Sequence, residues 1–291
     1  MSLSERHRPR IFEDVIGQPT AVAWFMDQSK RVPARSVIIC GGTGTGKTTC
    51  GSIYGEALLC ELRRPSGSPC LRCESCKAFA MGNPLNFQSF NCASLDSDGV
   101  SDIVKMMRAN PIAADHRVFL FDEAHALSPK SFDILLTALE EPRANVFIFA
   151  TTEGERIPKQ VRDRCSVHEL SMIDAPSAIR HLWSVCQAER IEAEPEALDL
   201  IAALAQGSAR AMIEMLEAAV ISDRVTADFA RRRFKLDYSE TVATILVLTL
   251  RGELGEAISK LNNWAEMPGR KRKLLHDCLV DIYCDVIGAR R

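Results

Sequence analysis

The sequence predicts an α/β protein: a parallel sheet with a phosphate-binding loop after its first strand, followed by helical segments. Three observations carry this. Short β-branched runs alternate with helical stretches through residues 1–172. A glycine-rich loop, Gly41-Gly42-Thr43-Gly44-Thr45-Gly46-Lys47-Thr48, lies between a predicted strand and a predicted helix. Beyond Met172 the strand signal stops and apolar residues recur at helical spacing.

In chain order, strands are predicted over 37–40, 87–91, 118–121, 146–150 and 167–170, with helices over 48–62, 100–108 and 130–139. The near-continuous apolar character of several strands implies a sheet covered on both faces. Ile179, Leu182, Trp183 and Cys186 then follow i, i+3, i+4, i+7 spacing, and Leu198, Ile201, Ala202 and Ala205 repeat it. Gly207 and Ser208 punctuate, and Ser208 is a cap for a helix carrying Met212, Ile213 and Leu216. A third helical block starts near Ser239, where Leu275, Cys278, Leu279, Ile282 and Val286 share one face. The expected division is therefore 1–172, 173–235 and 236–291.

A length of 291 residues exceeds one usual domain. Lys and Arg number 36 against 38 Asp and Glu, a net charge of −2, so nucleic-acid contact must rest on local patches. The longest uncharged apolar-rich stretch, 241–250, is about half a membrane span. The polar, basic start does not resemble a secretory signal, so no membrane contact and a cytoplasmic location are expected. Eleven cysteines, an odd number, do not make a disulfide scaffold, but four of them cluster.

The loop supplies the first chemistry. Gly44, Thr45, Gly46, Lys47, Thr48 and Thr49 are expected to hold a nucleotide. Glycines let backbone amides close around phosphates, the helix start adds positive potential, Lys47 reaches the β and γ phosphates, and Thr48 offers a hydroxyl to Mg²⁺. Val118-Phe119-Leu120-Phe121-Asp122-Glu123 is an apolar strand ending in two acids. Alone, such acids commonly form a solvated turn; beside the loop they make a hydrolysis site, Asp122 holding magnesium through water and Glu123 polarising the attacking water. Asp122-Glu123-Ala124-His125 also spells the pattern of one helicase class, without that class's other motifs. His125 is expected to pack or hydrogen-bond rather than act as a base. Cys60-x9-Cys70-x2-Cys73-x2-Cys76 presents four thiolates for a structural tetrahedral zinc, with an iron–sulfur cluster as the rival.

Together with the loop and cysteines, Arg8-Pro9, Phe12-x-Asp14-Val15-Ile16-Gly17-Gln18, Asp122-Glu123-Ala124-His125, Leu139-Glu140-Glu141-Pro142, Ala150-Thr151-Thr152 and Arg164-Cys165 stand in one order. In that order the chain resembles the bacterial DNA polymerase III gamma/tau subunits, clamp-loader ATPases of the AAA+ superfamily, over roughly residues 5–222. The resemblance implies an AAA+ P-loop domain with a zinc insertion at about 60–76, a helical lid and a C-terminal helical collar. It implies ATP, Mg²⁺ and Zn²⁺, and a pentameric ring with other loader subunits that opens a sliding clamp and loads it on primer–template DNA. By the same resemblance Arg6, His7, Arg8 and Pro9 lie over the adenine and phosphates, with Val15, Ile16 and Gly17 beside the base. Thr152 is the first sensor, Arg210 in Gly207-Ser208-Ala209-Arg210 the second, and Arg164 an arginine finger serving a neighbour's nucleotide.

Some positions depart from that pattern. Asp163 stands where the family usually has serine before the finger. Leu95-Asp96-Ser97-Asp98 replaces a basic stretch and leaves Lys105 and Arg108 as candidate phosphate contacts. Arg231-Arg232-Arg233 and Arg270-Lys271-Arg272-Lys273 read as solvated faces, and Cys165 as a small buried hydrophobe. Two alternatives stand beside this reading. A non-catalytic scaffold subunit of a loader should lack a working phosphate loop, and an AAA+ DNA motor of helicase or branch-migration type should lack the four-cysteine insertion.

Overall fold

The computed structural model describes residues 1–112, 114–142, 144–234, 239–264, 268–269, 271–272 and 275–276. Each predicted strand forms: β1 (Val37–Gly41), β2 (Phe87–Asn91), β3 (Arg117–Asp122), β4 (Asn145–Thr151) and β5 (Ser166–Leu170). They pair in parallel in the order β2, β3, β4, β1, β5. Helices α1 (Leu3–Arg6) and α2 (Pro19–Gln28) precede β1. Then come α3 (Lys47–Leu59), α4 (Glu74–Ala80), α5 (Ser97–Met107), α6 (Pro129–Glu140) and α7 (Lys159–Arg162) between strands. Finally α8 (Ala175–Glu189), α9 (Pro195–Leu204) and α10 (Ala209–Ala219) form the lid-like block.

The two-residue period of the strands splits the core into two layers. Val37 and Ile39 of β1, Val118 and Leu120 of β3, and Val146 and Ile148 of β4 meet Cys50, Ile53 and Tyr54 of α3 and Phe25 of α2. On the other side Ile38, Phe119, Phe121, Phe147 and Phe149 meet Ile103 of α5 and Phe132 and Leu135 of α6. Phe121 lies beside Phe149 in the register, with ring centroids 5.3 Å apart. Each of these fully buried aromatics contributes about 1.5–3 kcal/mol. α3 lies close on its layer because Gly55 has no side chain, and a Cβ there would stand 2.5 Å from the Phe87 ring.

The chain leaves β1 for the far edge, then returns through β3 and β4 on the opposite face. That reversal opens a crevice at the carboxyl ends of the strands, where open parallel sheets take ligands.

Element boundaries differ from expectation for local reasons. α3 ends at Leu59, short of 62, because Cys60 is extended (φ −73°, ψ 123°) and turns the chain into the cysteine segment. α5 starts at Ser97, ahead of 100, because Asp96 accepts from the Gly99 N–H at 2.8 Å and caps it. In α8 the buried positions are Ala178, Leu182, Val185 and Cys186, while Trp183, expected in the core, is only half-buried. Ser208 caps α10 as expected, accepting from the Ala211 N–H at 3.2 Å.

The chain divides into two compact units, Met1–Arg224 and Val225–Arg291, so α8 to α10 belong to the unit that holds the sheet. The second contains α11 (Ala227–Arg233), α12 (Ser239–Leu250) and α13 (Leu254–Asn263), with Val242, Ile245 and Trp264 as its buried cluster. Of the apolar face expected near the C-terminus, Leu275 packs against that cluster. Cys278, Leu279, Ile282 and Val286 lie outside the described residues, as do Arg270 and Lys273. Among the described residues no helix is long and apolar enough to cross a membrane.

Candidate nucleotide-binding and hydrolysis site

β1 ends at Gly41, and residues 42–46 turn the chain into α3. Gly44 has φ +78°, and a Cβ there would lie 2.0 Å from Ser208 Oγ, so loop and lid touch at this residue. The Ala209 N–H donates to the Gly44 carbonyl at 2.9 Å. Lys47 is 6% exposed and donates from Nζ to the carbonyls of Gly41 (3.0 Å) and Gly42 (2.8 Å). Burial lowers its pKa, against the opposing pull of Glu123 and Asp122. The Thr45 hydroxyl donates to the Gly42 carbonyl at 2.9 Å and holds the turn.

The acids follow β3. The Thr48 hydroxyl donates to Asp122 Oδ2 at 2.9 Å, which brings the two predicted magnesium-binding side chains together. Asp122 Oδ1 accepts from the Glu123 N–H at 3.1 Å. Glu123 is left-handed, φ +53° and ψ 44°, a conformation costing about 1–2 kcal/mol outside glycine. The strain thus falls on the acid assigned to water activation. His125 hydrogen-bonds as expected: Nδ1 is 3.2 Å from Thr151 Oγ1 and 3.5 Å from Glu123 Oε2, and Nε2 is 3.6 Å from Glu153 Oε1. Thr151 is fully buried at the end of β4 and also accepts from the Glu153 N–H at 3.0 Å. Thr152 follows it, half-buried and just past the strand. The role of Thr151 was missed from sequence, where its only mark is the Thr-Thr pair.

A cleft of ≈ 210 Å³ opens beside the loop, lined by His7, Arg8, Pro9, Ile16, Thr49 and Arg210 together with Gly44 and Gly46. Arg8 Nε donates to Thr49 Oγ1 at 3.3 Å. Residues distant in sequence thus converge on the loop. Val15 packs against the sheet core instead. Arg6, expected over the nucleotide, pairs with Glu189 of α8 at 2.8 Å, and His7 Nε2 meets the same carboxylate at 2.7 Å. One lid acid therefore gathers both cations. Gln18 fixes the segment after them: its amide donates to the Ser171 carbonyl at 2.6 Å and accepts from the Ser171 N–H at 3.1 Å.

Arg164 stands at the amino end of β5, whereas loop and acids follow the carboxyl ends of β1 and β3. Five residues of parallel strand put roughly 16 Å between the two edges. Its Nη2 donates to Glu140 Oε1 at 2.7 Å and Nη1 to the Gln160 carbonyl at 2.8 Å. The carboxylate that meets Arg164 is thus Glu140 rather than the adjacent Asp163. Cys165 is half-buried against the core, and burial pushes its thiol up to about 12, so it is neutral. Lys105 is occupied by Asp102 at 2.7 Å, and Arg231 lies 3.6 Å from Asp228.

The sulfurs of Cys60, Cys70, Cys73 and Cys76 all lie within 4.8 Å of one another. Cys60–Cys73 and Cys70–Cys76 are each 3.9 Å apart, close to the roughly 3.8 Å between sulfurs around a tetrahedral ion with 2.3 Å bonds. This spacing accommodates one ion and leaves no room for a cluster of irons. Burial raises the Cys70 thiol, but N–H donors from Arg72 and Cys73 outweigh it and bring it down to about 6; burial pushes Cys60 up to about 11.

A parallel sheet in this strand order, with a phosphate loop after β1, acids after β3 and a helical block over the loop, defines a P-loop protein with the AAA+ fold. The RuvB Holliday junction branch migration motor of Thermotoga maritima shares that fold, with a TM-score of 0.61 at 16% identity, over 88% of this chain and 85% of that one. A family model described as DNA polymerase III, delta subunit, matches residues 17–174. DNA polymerase III subunit gamma of Buchnera aphidicola subsp. Baizongia pistaciae is 30% identical over 257 residues, 87% of this chain and 69% of that protein. The chain belongs to the gamma/tau family of DNA polymerase III subunits. DNA polymerase III subunit tau of Bacillus subtilis is 28% identical over 280 residues, and the chain spans about half of that protein's length.

Proposed function

We propose that this chain is an ATP-hydrolysing subunit of a clamp loader, one of a pentameric ring of loader subunits that opens a sliding clamp and places it on primer–template DNA in the cytoplasm. The carrying observation is the Thr48–Asp122 hydrogen bond of 2.9 Å beside Lys47, which assembles phosphate, metal and water chemistry at one strand edge. Lys47 exchanges its two loop carbonyls for β and γ phosphate oxygens, and Arg8, Pro9 and Ile16 hold the nucleoside in the cleft. Thr48 and Asp122 would hold magnesium, which would supply charge neutralisation to the phosphates. Glu123 orients and polarises the attacking water, while Thr152 and Arg210 read the γ-phosphate from β4 and the lid.

Arg164 completes a neighbour's site, a role supported by its distance from its own loop. Cys60, Cys70, Cys73 and Cys76 would hold a zinc that closes the insertion, a structural role because all four ligands would come from the protein. The working division is 1–172 for the nucleotide domain, 173–235 for the lid and 236–291 for the collar that joins subunits. The fold shared with RuvB favours a DNA motor as second reading, against which the four-cysteine insertion weighs.

ATPase activity measured with and without clamp and primed DNA tests this. Lys47→Ala should lose ATP binding, whereas Glu123→Gln should bind ATP and slow hydrolysis by about 10²-fold or more. Wild-type turnover in both variants would refute the site, and DNA unwinding without a clamp would favour the motor.

A further inference from the structure

Arg164 is held at two points. Its Nη2 donates to Glu140 Oε1 at 2.7 Å and its Nη1 to the Gln160 carbonyl at 2.8 Å. A guanidinium has five N–H donors, so three remain for another partner. The side chain is 36% exposed and lines a cavity of ≈ 310 Å³ shared with Arg35 and His116, which gives those donors open access. We propose that Glu140 is a positioning residue for the arginine finger, its carboxylate keeping the Arg164 guanidinium in the orientation that meets a neighbouring chain's nucleotide. The inference rests on the proposed role of Arg164 as that finger.

Glu140 suits the task because of where it stands. It is the last residue of α6, a helix fixed to the sheet by Phe132, Leu135 and Leu139, which are at most 6% exposed. The same helix starts at Pro129, a few residues after Asp122 and Glu123, and spans about 18 Å. It therefore runs from the chain's own hydrolysis acids to the finger it offers outward. A long flexible arginine anchored on such a rod loses less freedom on meeting a phosphate than an unanchored one. Because both partners are partly exposed, the ion pair adds little to folding, and its removal should leave the chain folded.

The test uses complete assemblies with clamp and primed DNA, in which wild-type chains are mixed with chains silenced at their own site by Lys47→Ala. Adding Glu140→Ala to the silenced chains should lower hydrolysis at the neighbouring wild-type sites by about tenfold, with KM for ATP unchanged. Glu140→Gln, whose amide oxygen still accepts from Arg164, should recover part of that loss. Combined with Arg164→Ala, Glu140→Ala should add nothing, because both changes act through one guanidinium. Turnover unchanged or raised by Glu140→Ala, while Arg164→Ala lowers it, would overturn the positioning role and leave the finger standing. Full additivity of the two would overturn it as well. No effect of Arg164→Ala would remove the finger and this inference with it.

Discussion

Replacing Gly44 by alanine perturbs the point where the phosphate loop touches the lid. The residue holds φ +78°, so any side chain there costs about 1–2 kcal/mol. The new Cβ would sit 2.0 Å from Ser208 Oγ and 3.1 Å from Ser208 Cβ, so the hydroxyl must swing away and the start of α10 must shift by a few tenths of an ångström. That shift stretches the 2.9 Å hydrogen bond from the Ala209 N–H to the Gly44 carbonyl, at a cost of up to about 1 kcal/mol. The sum, up to about 3 kcal/mol, falls on the closed arrangement of loop and lid. Since about 1.4 kcal/mol is tenfold in affinity, binding of a fluorescent ATP analogue should weaken by up to about a hundredfold.

Adding Ser208→Gly to Gly44→Ala removes the clash but not the backbone strain. It should return about 1 kcal/mol, less a few tenths for the weakened cap on α10. Equilibrium titration and thermal melting of the wild type and the two variants give the comparison. Wild-type affinity and melting temperature in Gly44→Ala would refute the reasoning; a deficit untouched by Ser208→Gly would refute the part assigned to the clash.

Fresh protein should contain about one zinc per chain by elemental analysis, and Cys73→Ser should lower both zinc content and melting temperature; unchanged content would rule out the four-thiolate site. Stability should also fall with acid. Burial lowers the pKa of His116, His168 and His181 from 6.5, assisted at His181 by His7, and at His116 Asp115 opposes the shift while Arg63 adds to it. The unfolded chain then binds more protons below 6.5, so the melting temperature should rise from pH 5 to 7.5. His168→Gln should flatten that rise, and a profile identical to wild type would exclude His168 as a contributor.

Much of this architecture was legible because the signals were redundant. The apolar run before Asp122 and the glycine pattern before Lys47 each satisfied a spacing rule and a context rule, and β3 and α3 stand there. α2 carries a weaker signal: Ala21, Val22, Ala23, Trp24, Phe25 and Met26 are consecutively apolar, which suits a buried strand as well as a helix, and only Pro19 marks its start. The left-handed Glu123, the His125–Thr151 bond and the Glu140 partner of Arg164 are products of strand order and register. No local spacing encodes them. Arg164 illustrates the same limit, because the carboxylate that pairs with it comes from another helix, and no spacing around Arg164 marks Glu140.

The placement of Arg164 at the amino ends of the strands and of the phosphate loop at their carboxyl ends gives the chain a direction, like a plug and a socket. On the proposed reading, each contact consumes one of each, so the two surfaces that meet are different and the assembly is heterologous. An open arc of such chains always leaves one loop without a finger at one end and one finger without a loop at the other. Hydrolysis per chain must then climb with arc length, since every chain but one has a completed site. Only closure, or end subunits that need no completed site, abolishes that deficit, and without either the arc can go on growing as a filament.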